Sequence, residues 1–508
     1  MYRPSYRRHT THDSAPSPRA SWPQVIVLAN RGPFTTELQA NGSIRVRRAA
    51  GGLVTALGPL VQKSSVTWVA CGASDSPSAA EGSGLDVRGA TGAHRLRYVC
   101  LPDDEHRGYY YGFANQGLWP LCHALHVQPV FRSGDFHAYR RANIRFAAAV
   151  ADEATCASPL LLVQDYHFAL APGELRRRLP LSTIVTFWHV PWPPALVLES
   201  CPWAKELLDG LLGSDIAGFQ TSQDCEHFLD SVERLVGADI SRTDGTATYR
   251  GQTTRVRAYP VGVEWDNDVV RTTPPAPVCA ESVRGDLGLP SDVKLGVGID
   301  RLDYTKGITE KFLAIERLLE DHREFRGRFT FVQVAEPSRE CLPEYQLARE
   351  QIIATAERVN ARFGAGANVP IVLQLSHYEP AEVYRLYRAA DVCYVGSLRD
   401  GMNLVAKEFV LARHDERGVL VLSEFAGASE QLQAALLIDP YSVDASALAR
   451  ALTMPDVEQS KRMRIMRATV ARFDATWWAE RLLADSWSLR WSQPSPDRHA
   501  RAEAQVSA

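Results

Sequence analysis

The stretch Leu295-Gly296-Val297-Gly298-Ile299-Asp300-Arg301-Leu302-Asp303-Tyr304-Thr305-Lys306-Gly307 decides the fold. A short apolar run ends in a cationic turn, and a segment of helical period follows. This is the strand-turn-helix unit from which open parallel sheets are built. Similar runs recur on both sides of it. Phe329 to Val334, Ile371 to Leu375, Val392 to Val395 and Val419 to Leu422 follow it, and Val25 to Leu28, Thr67 to Ala70, Leu160 to Val163, Thr183 to Trp188 and Ile216 to Phe219 precede it. Longer helical segments separate these runs, so the reading is α/β with two doubly wound domains.

At 508 residues, with 45% hydrophobic and 23% charged side chains, the chain is globular and too long for one ordinary core. The proline-rich Thr272-Thr273-Pro274-Pro275-Ala276-Pro277, just after Tyr259-Pro260-Val261-Gly262, reads as a stiff connector and places a boundary near Val263. The expected plan is therefore a disordered arm over 1–20, a first domain over 21–262 and a second over 263–474. A helix over 475–492 should pack back towards the first domain, and 493–508 should form a polar, disordered tail.

The 56 basic and 59 acidic residues nearly balance and form no long single-sign block, which leaves no footprint for nucleic acid or a membrane surface. No run of about 18 apolar residues is present to span a bilayer. The nine cysteines are scattered, odd in number and lack C-x-x-C spacing, as expected of reduced thiols in a cytoplasmic protein. Asp266-Asn267-Asp268 has the D-x-D form used by metal-dependent sugar-nucleotide enzymes. With no His or Glu cluster beside it, it reads as a solvated turn, and no metal is expected.

Ligands of open parallel sheets bind beyond the carboxyl ends of the strands, and here those ends are unusually polar. Val25–Leu28 leads into Asn30-Arg31-Gly32, Leu162-Val163 into Gln164-Asp165-Tyr166-His167, and Phe187-Trp188 into His189-Val190-Pro191. A lone Asp or His after a strand also serves as a helix cap, but together on one edge they favour a binding rim. In the second half, Arg301 offers a rigid fork of donors and Lys306 a mobile point charge, a pairing suited to a diphosphate. The plainer reading is a surface salt-bridge pairing with Asp300 and Asp303. Farther on, Arg399-Asp400-Gly401-Met402-Asn403-Leu404-Val405-Ala406-Lys407-Glu408 opens a helix whose first N–H groups suit an anion. Glu408, about two turns in, is positioned for ribose hydroxyls. Gly51-Gly52-Leu53 is either a plain turn or a loop closing over a sugar phosphate.

Taken in order, Asn30-Arg31, Gly51-Gly52-Leu53, Tyr110 with Phe113-Ala114-Asn115, Leu118-Trp119-Pro120, Asp165-Tyr166-His167, His189-Val190-Pro191, Gly218-Phe219-Gln220-Thr221, Arg301 to Gly307, Pro337-Ser338-Arg339 and Arg399 to Glu408 resemble the trehalose-6-phosphate synthase family. These are retaining glycosyltransferases of the GT-B architecture, with two Rossmann-like domains facing a cleft. The resemblance runs from about Val25 to about Trp491.

It implies transfer of glucose from a nucleotide-glucose, such as UDP-glucose, to glucose 6-phosphate. The nucleotide sugar is then a co-substrate, with no cofactor and no macromolecular partner required, and a homo-oligomer is left open. By the same resemblance, Arg301 and Lys306 grip the donor diphosphate, Gly401, Met402, Asn403, Leu404 and Val405 line the donor, and Glu408 holds its ribose. His189 and Asp400 contact the transferred glucose, so His189, Asp400, Arg301 and Lys306 form the catalytic set. Arg31, Gly52, Leu53, Tyr110, Trp119, Asp165 and Arg339 hold the acceptor. Two positions depart from the pattern: many members have tryptophan where this chain has Cys71 and histidine where it has Gln164. Both lie on the acceptor side, which keeps glucosylglycerol-phosphate synthesis, cyclitol coupling and a non-catalytic nucleotide-sugar sensor as alternatives.

Overall fold

The computed structural model describes residues 24–38, 44–48, 66–72, 85–89, 92–364 and 368–492. The expected arm over 1–20, the Gly51-Gly52-Leu53 loop and the tail over 493–508 lie outside them.

Two open sheets face each other. The first has ten strands, with Val25–Ala29 near its middle between Leu160–Gln164 and Val66–Cys71. Both pairings are parallel, and Val27 lies level with Trp68 on one side and Leu162 on the other. All five residues of Val25–Ala29 are buried, as required of a strand covered on both faces. Successive side chains go to opposite faces: Val25, Val27 and Leu162 join one core, and Ile26, Leu28 and Val163 the other.

The second sheet runs Ile371–Gln374, Phe329–Glu336, Lys294–Arg301, Val392–Val395, Val419–Ser423 and Leu436–Ile438, every pair parallel. Helix Ala475–Ser492 returns to the first sheet. Trp478 meets Phe187 edge-on with ring centres 5.2 Å apart, and Tyr259 donates to Asp485 at 2.9 Å.

Every strand expected from an apolar run is present. The structure adds Gly92–Val99 with its antiparallel neighbour Leu85–Gly89, and the meander Asp239–Ser241, Thr246–Tyr249 and Gln252–Ala258. These lie towards the sheet edges, and their sequences interleave polar and charged residues with apolar ones. No continuous hydrophobic run marks them.

The connector reading of Thr272–Pro277 needs correction. Asn267 caps a short helix over Asp268–Thr272, and a second helix begins at Ala276 with a proline in its first turn. The carbonyls of Val270, Thr273 and Pro274 all accept from the buried Arg388 guanidinium, so the segment is docked on the second lobe.

Candidate functional site

The cleft is built from strand ends. In the second lobe, Lys294–Arg301 carries Arg301 to its rim, and the chain turns through Tyr304–Lys306 into helix Ile308–Asp321. Gly307 enters that helix at φ 60°, where a Cβ would run into the Gly396 carbonyl, so glycine is required by both conformation and space. Asp300 is taken up by the buried Lys311 at 2.5 Å. Arg301 therefore has no partner in Asp300 and stands 4.0 Å from Asp303 with its side chain 39% exposed, which leaves a guanidinium open to an anion. Lys306 reaches Asp400 at 2.5 Å. Burial opposes ionisation of Asp400, but Lys306 outweighs it and holds the carboxyl below its ordinary range.

Helix Leu404–Ala412 starts at the left-handed Asn403 (φ 75°), whose side chain caps the Ala406 N–H at 3.1 Å and also donates to Asp400. Glu408 is therefore one turn in, not two. Its carboxylate accepts from Tyr387 at 3.1 Å, and burial pushes its pKa up. Leu404 and Val405 form the first turn, while Met402 is buried and anchors Ala428 through its carbonyl. Gly401 does not form the helix start as expected. It abuts the other lobe, where a Cβ would strike the His189 carbonyl oxygen.

In the first lobe Asp165 follows its strand at φ 74° and turns its carboxylate back to accept the His189 N–H at 3.0 Å. Burial raises its pKa to about 6 against the opposing effects of two backbone N–H groups, Arg301 and Arg339. Tyr110 lies on a π-helical stretch, Arg107–Leu118, that widens the helix beside the site. Burial would push its hydroxyl up, but Arg339 and Arg31 both reach it and bring it below its ordinary range.

Arg339, itself at φ 50°, crosses from the second lobe. Its Nη1 donates to Asp303 at 3.3 Å and to Tyr345, its Nη2 to Tyr166 at 3.2 Å, and its guanidinium covers the Trp119 ring at 4.2 Å. Arg301 approaches the same ring at 5.4 Å. Three guanidinium groups from two lobes thus surround Trp119, Tyr110 and Asp165, and the Trp119 indole N–H is buried without a partner among the described residues.

Of the residues expected to form the site, all but Gly52 and Leu53 lie among the described residues; Arg31, Tyr110, Trp119, Asp165, Arg301 and Arg339 are brought together, and Lys306 meets Asp400. The sequence reading missed the support beneath them. Asp303 and Tyr345 orient Arg339, and His123 lies under Trp119, its Nδ1–H bonded to the Trp119 carbonyl at 2.8 Å and its pKa lowered by burial to about 4. The i+4 spacing of His123 from Trp119 was its only signal. Asp266 and Asp268 pair with Arg271 on the surface, and among the described residues no three His, Cys, Asp or Glu side chains converge as a metal site would need.

Comparison with known proteins fits this geometry. The family model for glycosyltransferase family 20 matches residues 23–486. The trehalose-6-phosphate synthase of Mycobacterium sp. (strain JLS) is 38% identical over 471 residues, covering 90% of this chain and 95% of that one. Among solved structures, an alpha,alpha-trehalose-phosphate synthase (UDP-forming) from Burkholderia xenovorans in complex with glucose-6-phosphate is 32% identical, with TM-score 0.80 over 91% of this chain and 100% of that one. An E. coli structure bound with UDP-2-fluoro glucose is 30% identical, with TM-score 0.81 over 91% of this chain and 98% of that one.

Proposed function

The chain belongs to glycosyltransferase family 20, and on that footing we propose that it transfers glucose from UDP-glucose to glucose 6-phosphate, giving trehalose 6-phosphate and UDP with retention at the anomeric carbon. The observation that carries this reading is the convergence of Arg301 and Arg339 on Trp119, with Arg31 and Arg339 on Tyr110. One cleft then offers a cationic seat to a diphosphate and a second to a phosphate monoester, close enough for their sugars to react. In this reading 21–262 takes the acceptor, 263–474 takes the donor, and helix 475–492 ties the lobes together.

Catalysis is electrostatic. Arg301, Lys306 and the first N–H groups of helix Leu404–Ala412 stabilise charge building on the leaving diphosphate. The departing phosphate oxygen receives the proton of the attacking hydroxyl on the same face of the ring, so no covalent enzyme intermediate is formed. Lys306 enters paired to Asp400, and the incoming diphosphate competes for that ammonium, freeing Asp400 for sugar hydroxyls. Asp165 accepts from the acceptor sugar, and Arg31 and Arg339 clamp its phosphate. Positive charge for the diphosphate comes from side chains, which supports a reaction without a metal. No helix among the described residues is long and apolar enough to cross a membrane, and nine scattered cysteines without C-x-x-C spacing support a cytoplasmic location.

A donor-by-acceptor matrix tests the assignment. UDP-glucose and another nucleotide-glucose are each incubated with glucose 6-phosphate, glycerol 3-phosphate or a cyclitol phosphate, and products are read by mass. The expected product is trehalose 6-phosphate from UDP-glucose. Product with another acceptor alone would reassign the acceptor, and donor binding without any product would indicate a sensor.

A further inference from the structure

Gln164 ends strand Leu160–Gln164 level with Phe187, two residues before His189. It is 1% exposed, and its Oε1 lies 3.0 Å from His189 Nε2. With the amide oxygen turned to the ring it accepts, which places the proton on Nε2 and leaves Nδ1 as the acceptor. Among the described residues Nδ1 has no hydrogen-bond partner. The rest of His189 is fixed independently. Its N–H is bonded to Asp165, its carbonyl accepts from Gln220 at 3.4 Å and abuts Gly401, and its ring meets Phe187 edge-on at 4.6 Å.

The Gln164 amide Nε2 is itself buried with no partner among the described residues. An unsatisfied buried donor costs about 1–3 kcal/mol. An apolar side chain of the same size would remove that cost but leave the His189 Nε2–H unpaired, so the amide is kept here by its bond to the ring.

We propose that Gln164 is a positioning residue: its amide oxygen locks the His189 ring as the Nε2–H tautomer and presents Nδ1 to a hydroxyl of the transferred sugar. The inference rests on the transferase reading given above. Burial holds His189 down at about 3, so the ring stays neutral and Nδ1 remains an acceptor throughout the working range. An uncharged partner preserves this, whereas a carboxylate at the same place would favour the imidazolium and convert Nδ1 to a donor.

Nitrogen NMR of histidine-labelled free enzyme reads the tautomer without substrate. The native protein should show His189 as Nε2–H with no titration above pH 5, and Nδ1–H would overturn the proposal. In Gln164→Glu, His189 should titrate in a higher range, with turnover falling in parallel as the imidazolium forms. A ring that stays neutral, or protonates without loss of turnover, would also overturn it. Gln164→Met should lower kcat about tenfold with little change in acceptor KM, and unchanged kcat in a folded variant would count against it. If the native enzyme shows no transfer in the donor-by-acceptor matrix, the transferase reading fails while the tautomer result stands by itself.

Discussion

The Arg339 guanidinium of the second lobe lies 4.2 Å from the centre of the Trp119 ring of the first, and its Nη2 donates to Tyr166 at 3.2 Å. One side chain thus roofs the proposed acceptor seat and joins the lobes. Lysine in its place keeps the charge but loses the fork. Arg339→Lys should raise the KM for glucose 6-phosphate by roughly 10- to 100-fold, the worth of a charge-assisted bond of about 1.5–3 kcal/mol, while the KM for UDP-glucose changes little. Equal effects on both substrates would separate Arg339 from the phosphate.

Among the described residues Arg301 has a loose ion pair with Asp303 at 4.0 Å and a contact with the Trp119 ring, and it faces Asp165 electrostatically. Its removal should cost little stability, whereas loss of one leaving-group donor should lower kcat by about 10²–10³. Steady-state kinetics and a melting curve of Arg301→Ala check both halves. Near-native turnover would remove Arg301 from the donor site.

Asp165, with its pKa raised to about 6, must be ionised to accept from a sugar hydroxyl. Below about pH 6, kcat/KM for the acceptor should fall. A phosphate monoester titrates in the same region, so the limb belongs to Asp165 only if its contribution disappears in Asp165→Asn. The effect on stability has the opposite sign. A raised carboxyl pKa means the native state binds more protons between the ordinary 3.8 and about 6, so this group's contribution to stability decreases as pH rises through that window.

Lys407 is 1% exposed and donates its Nζ proton to the Val261 carbonyl, joining the start of helix Leu404–Ala412 to the chain between the lobes. Burial lowers its pKa from 10.5 to about 7. From about pH 7 up to the ordinary lysine range the unfolded chain binds the extra proton, so stability should rise with pH in that interval. Denaturant midpoints at pH 6, 7.5 and 9 should show this slope in the native protein and lose it in Lys407→Met.

Gly401 lies where a Cβ would strike the His189 carbonyl. Gly401→Ala should push the lobes apart by a fraction of a bond length and misplace Asp400 against the acceptor rim. Displacements of about 1 Å can cost about 10² in rate. The variant should fold with a native circular dichroism spectrum yet turn over at least tenfold more slowly. Full activity would show that the approach of the lobes here is slack.

The sequence by itself determined the strands whose faces are both buried, because continuous runs such as Val25–Ala29 and Val392–Val395 have no alternative to a covered parallel sheet. It also located Arg31, Asp165, His189, Arg301 and Lys306, since polar residues at carboxyl strand ends lie on one rim in any doubly wound sheet. The tertiary structure alone decided which charges stayed open. Asp300 is consumed by Lys311, eleven residues on, and that release of Arg301 depends on how a helix packs under its strand. It also decided that Arg339 would cross to Trp119 and that Gly401 would meet His189. Those contacts join residues far apart in the chain, whose approach is set by the docking of two independent sheets and leaves no periodicity in the sequence.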